Sequence, residues 1–90
     1  MAFKKMRGCK LSYDKQGYIY FLCKNYAAQP EEVKKKIRTL CDEVAGEYSA
    51  ALFSVLTSPK GVRRSAVEHY VSERQLYELR RKFYERWNNK

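Results

Sequence analysis

Breakers of regular structure are scarce in this chain, four glycines and two prolines in 90 residues, and their placement constrains it more than any other feature. Gly8, Gly17, Pro30, Gly46, Pro59 and Gly61 cut it into pieces of helix length joined by tight turns, with no long linker and no low-complexity tract. Such a chain closes into one small domain, since a second core would need roughly another hundred residues. A formal net charge of +9 accompanies 44% hydrophobic and 14% aromatic residues, too rich in core formers for a disordered basic tail. No apolar run reaches the roughly 18 residues of a membrane span, and residues 1–8 are basic without an apolar stretch behind them. The expectation is a cytoplasmic protein without a membrane partner.

Cys9, Cys23 and Cys41 are odd in number and form no Cys-x-x-Cys pair, so they read as reduced thiols, with neither a disulfide framework nor a metal site. One histidine, no Gly-rich phosphate loop and no nucleophile with an adjacent base argue against an enzyme and against a cofactor.

The pieces read as helices. Residues 1–11 carry Lys4, Lys5, Arg7 and Lys10 with little to bury, a flexible basic arm ahead of a single helical domain over 12–90. Asp14 is placed to cap a helix through residues 17–26, with Ile19, Leu22, Cys23 and Tyr26 on one face. The run 18–21 would also suit a strand, but no second strand of like quality exists to pair with it. Pro30 in a first turn, Glu31 and Glu32 at the positive end, and Val33, Ile37, Leu40, Cys41 and Val44 at helical spacing define a second helix that stops before Gly46. Its Lys34-Lys35-Lys36 run is offset by carboxylates and reads as a solvated face. A third helix, 47–57, offers Tyr48, Ala51, Leu52, Val55 and Leu56 and should be the most central.

The last third is the most specific. A short helix from Val62 ends near Tyr70, a turn follows at Tyr70-Val71-Ser72, and a longer helix runs from Glu73 to about Trp87. Ser72 and Gln75 have capping-box spacing, and Leu76, Leu79, Phe83 and Trp87 form a narrow apolar stripe that leaves Glu73, Arg74, Tyr77, Glu78, Arg80, Arg81 and Tyr84 outward. Residues 60–90 hold nine cations against four carboxylates, over half of the net charge.

Ala66, Val71, Ser72, Leu76 and Leu79 stand at the relative spacing of a helix-turn-helix DNA-binding motif. The stretch 62–87 resembles that of small phage and mobile-element regulators and of region 4 of sigma-70-type factors. Tyr70 stands where the motif has glycine, and Ser65 and His69 where it has apolar residues. The upstream stretches "LSYDKQGYIYF" and "ALFSVLT" are similar to those of short open reading frames in mobile elements.

The resemblance implies an all-α, compact bundle of about five short helices with a C-terminal helix-turn-helix that binds double-stranded DNA as a small transcriptional regulator or sigma-like factor. Ser72, Glu73, Arg74, Gln75, Tyr77, Glu78 and Arg81 would then face base edges, and Lys60, Arg63, Arg64 and Arg80 the phosphates. RNA polymerase or another protein is a further partner, and a homodimer fits the motif. The alternative is a protein–protein adaptor without DNA readout, to which eight tyrosines would suit.

Overall fold

Five helices make up the architecture of the computed structural model, which describes residues 9–59 and 61–88, the last without its side chain. α1 is Tyr13–Lys24, α2 Glu31–Ala45, α3 Ser49–Thr57, α4 Val62–His69 and α5 Glu73–Asn88, with 3-10 turns at Tyr26–Ala28 and Gly46–Tyr48 and no strand among the described residues. The fold is all-α. Its radius of gyration, 12.0 Å, equals the roughly 12 Å of a single compact domain of this length.

α3 has the central position, packing on α1, α2, α4 and α5. It bears no charge, and Leu52, Val55 and Leu56 are buried along it. α2 presents Ile37, Leu40 and Cys41 to the same core, Val33 and Val44 lie at its margin, and α5 adds Leu76 and Phe83. Gly46 ends α2 with φ of 54°, a left-handed backbone that glycine adopts without a Cβ clash.

Several details correct the reading from sequence. The cap of α1 is Ser12, whose Oγ accepts from the Lys15 backbone N–H at 3.2 Å; Asp14 lies inside the first turn, where its charge faces the positive helix end. Pro30 precedes α2 as its capping residue and is not within the first turn. Tyr26 leaves α1 for the 3-10 turn, its ring edge-on to Phe53 at 5.0 Å. Leu11, assigned to the arm, is buried, and the Lys10 N–H donates to Glu85 Oε2 at 3.1 Å. Residues 1–8 of the arm lie outside the described residues. Tyr84, assigned to the outer face of α5, is buried. α5 is enclosed more widely than a one-stripe pattern indicates, because α2, α3 and α4 all pack against it.

Lys24 ties the periphery to the centre. Its Nζ donates to the carbonyl oxygens of Ser58 at 2.6 Å and Val55 at 3.3 Å, satisfying acceptors that the end of α3 leaves open. Burial pushes its ammonium below the usual lysine pKa, the Cys23 thiol opposes that shift and Arg80 adds to it. Cys23 and Cys41 are free thiols inside the core, both pushed up to about 12 by burial.

Candidate nucleic-acid interface

α4 begins after Gly61, and its buried side consists of Val62, Ser65 and Ala66. Ser65, the polar departure from the motif, is fully buried but satisfied, its Oγ lying 3.1 Å from Ser54 Oγ of α3. Ala66 is buried on the inner side of α4, which packs on both α3 and α5; its small side chain suits a close approach of neighbouring helices.

The chain leaves α4 through Tyr70 with φ 56° and ψ 41°. The N–H groups of Tyr70 and Val71 both donate to the Ala66 carbonyl, so the turn has the left-handed geometry that glycine supplies elsewhere, here imposed on an aromatic residue. That conformation costs a residue with a Cβ about 1–2 kcal/mol. Val71 turns into the core, and Ser72 Oγ accepts from the Gln75 N–H at 3.0 Å to start α5. Leu76 and Leu79 then anchor α5, and Glu73, Arg74, Gln75, Tyr77 and Glu78 stay exposed.

The candidate base-reading residues are not equivalent. Ser72 and Gln75 are exposed and joined by the cap, and Glu73 faces outward beside them. Arg74 is exposed with no carboxylate partner among the described residues, and Tyr77 is half exposed. Arg81 is held from both sides, by Glu78 Oε2 at 2.8 Å and Glu85 Oε1 at 3.3 Å. The hydrogen bond and charge of Arg81 hold the Glu78 carboxyl below its usual value, and Glu78 raises Arg81 in return. The two therefore largely neutralise each other, while Arg74 acts on Glu78 only at longer range and forms no close ion pair among the described residues.

Among the phosphate candidates, Arg63 is exposed without a carboxylate partner, and Arg64 pairs loosely with Glu68 at 3.5 Å in a largely exposed bridge. Lys60 lies outside the described residues. Arg80 differs from both. It is half-buried, its Nε is buried without a hydrogen-bond partner, and its guanidinium lies 5.2 Å from the Tyr77 ring centroid. Lys24 escaped the sequence reading, since only tertiary packing brings its ammonium to the Val55 and Ser58 carbonyls at the end of α3. Tyr70, 95% exposed, and Val67, 72% exposed, add a bare apolar edge to α4.

No group of three or more His, Cys, Asp or Glu among the described residues could hold a metal ion, and none of their helices is long and apolar enough to cross a membrane. Comparison with known proteins finds no matching family model, curated protein or solved structure.

Proposed function

We propose that this chain binds double-stranded DNA through α4 and α5, with the first half of α5 in the major groove and the start of α4 across the phosphate backbone. One observation carries the reading. Arg38 bonds Tyr26 and Glu31, Arg86 bonds Glu43, and Arg64 and Arg81 have carboxylate partners, whereas Arg63, Arg74 and Arg80 have none among the described residues. All three belong to the unit built from α4, the left-handed turn and α5. A cation left unpaired beside a groove-sized helix is available to phosphate or to a guanine edge, where a guanidinium bonds bidentately. A small transcriptional regulator or sigma-like factor is the role that suits such a module, with RNA polymerase as a further partner and a homodimer as the assembly.

The test is anisotropy of a labelled duplex titrated with the chain at several salt concentrations, joined to selection of bound sequences from a random duplex pool. Log affinity should fall linearly with log salt at about 0.9 per phosphate neutralised, and the pool should converge on a motif. A flat salt response overturns the reading. The adaptor alternative is favoured by a separate observation, the exposed Tyr13, Tyr18 and Phe21 on α1, aromatic surface of the kind found at protein interfaces. That reading requires a protein partner whose binding is lost on Phe21→Ala and indifferent to Arg74→Ala.

A further inference from the structure

Resting on that duplex-binding reading, we propose that Tyr70 is a further duplex contact, its phenol hydroxyl donating to a backbone phosphate beside the groove that α5 enters. Neither the core nor the turn needs its ring. The residue is 95% exposed, so the side chain buries almost nothing of its own chain. The bonds that hold the turn, from the Tyr70 and Val71 N–H groups to the Ala66 carbonyl, are backbone bonds that any non-proline residue would make. Tyr70 is also the one residue other than glycine with a left-handed backbone among those described, and glycine in its place would relieve the Cβ clash. Folding therefore gains nothing from the ring and is opposed by its Cβ, which is the situation of a residue that serves a surface contact.

Position selects the ligand. Tyr70 stands two residues before Ser72, the cap of α5, at the end of the helix proposed to lie in the groove. Arg63, Val67 and Tyr70, spaced by four and three residues, fall on one side of α4, and all three are exposed. Arg63 has no carboxylate partner among the described residues. This side of α4 thus carries a free cation, an aliphatic side chain and a neutral hydroxyl donor in a row, a sequence that matches phosphate, sugar and phosphate along one strand. At 1.5 Å of rise per residue, Arg63 and Tyr70 lie about 10 Å apart along the helix, so they meet separate phosphates.

The experiment uses the full 90-residue chain, a labelled duplex of random sequence, a sodium chloride series and circular dichroism melts. Tyr70→Gly should melt about 4 °C higher and bind duplex about tenfold more weakly, the loss expected of one hydrogen bond to a charged group. Tyr70→Phe keeps the ring and the strained backbone, so it should melt with the unaltered chain and lose as much affinity. Neither variant removes a cation, and the salt slope should hold in both, whereas Arg63→Gln should reduce it by about 0.9. Joining Arg63→Gln to Tyr70→Phe should multiply the two fold-changes, because the phosphates are separate. Full affinity in Tyr70→Phe, a lowered melt in Tyr70→Gly, or a dimer of the free chain that sediments as monomer in Tyr70→Gly overturns the phosphate contact and leaves duplex binding standing. Failure of the unaltered chain to bind duplex overturns both.

Discussion

The two halves of α5 face opposite demands. From Phe83 onward the helix is fastened: Phe83 and Tyr84 are buried, Arg86 bonds Glu43 of α2 at 3.2 Å, and Lys36 of α2 lies 4.0 Å from the Trp87 ring centroid. In the first half only Leu76 and Leu79 are buried, and Arg74, Gln75 and Tyr77 project outward without such ties. A rigid rod held at one end presents the other end at a defined angle, which is what readout of a groove requires. The difference teaches that binding and stability should separate along one helix.

The largest separation is expected at Phe83. It is fully buried against Trp87 and Tyr84, with ring centroids 5.9 and 6.3 Å away, so Phe83→Ala should lower unfolding free energy by about 3–5 kcal/mol. For a domain whose total is roughly 5–15 kcal/mol, urea melts should show most of the stability gone. Tyr77→Ala, six residues earlier in chain order, should change the same melt by about 1 kcal/mol at most, since its ring is half exposed and its one specific contact is with the Arg80 guanidinium. Equal losses would abolish the distinction between the two halves.

Alkaline pH should act on the fastened side next. Cys23 and Cys41 are raised by burial to about 12 from an ordinary 9.0, and burial also raises the Tyr84 hydroxyl beside Cys23. A raised folded pKa gives stability that is complete below 9 and is lost as pH climbs toward 12, because the unfolded chain sheds its thiol protons first. The loss at pH 10 is on the order of 1 kcal/mol per thiol. Thermal melts at pH 7 and 10 should therefore diverge, and at pH 7 a thiol reagent should label the half-buried Cys9 well before the other two. Equal melts, or prompt labelling of Cys23 in the native chain, would break this expectation.

On the presenting side, Arg74→Ala should cost roughly 1–3 kcal/mol of discrimination at one base pair, with stability changed by less than about 0.5 kcal/mol. Competition between matched and singly altered duplexes measures the first quantity and melting the second. Arg81→Ala sharpens the point. Its guanidinium is already committed to Glu78 and Glu85, so selectivity should fall by less than for Arg74→Ala.

Much of this arrangement is legible in the amino-acid sequence. Helical spacing located α2 and α3 closely, and the Ser72 cap and the Leu76–Leu79 anchor were visible because each is a local pattern within one turn or two. The ties of Arg81 are equally local, three and four residues from carboxylates, yet a face-by-face reading puts it among base contacts, since spacing alone does not rank a base edge against a neighbouring glutamate. Tyr84 was misplaced for another reason. The width of a buried stripe depends on how many neighbours a helix acquires, and that is decided by the packing of α2, α3 and α4 around it. Lys24 reaches the Val55 and Ser58 carbonyls only through tertiary packing, and nothing in the spacing of residues 24, 55 and 58 announces it.

The smallest expected effect concerns the Glu43–Arg86 tie itself. Both side chains retain solvent, 29% and 53% exposed, so their coupling in a double-mutant cycle should be about 0.2–1 kcal/mol. If fastening of the second half comes mainly from the buried Phe83 and Tyr84, breaking this bridge shifts the melt slightly and leaves the orientation of α5 intact. Glu43→Gln should then bind a matched duplex with unchanged selectivity, and with overall affinity raised a little because one carboxylate has gone. Lost selectivity would mean that the bridge sets the angle at which the first half is presented, making a surface ion pair on α2 part of the reading geometry at the far end of the helix.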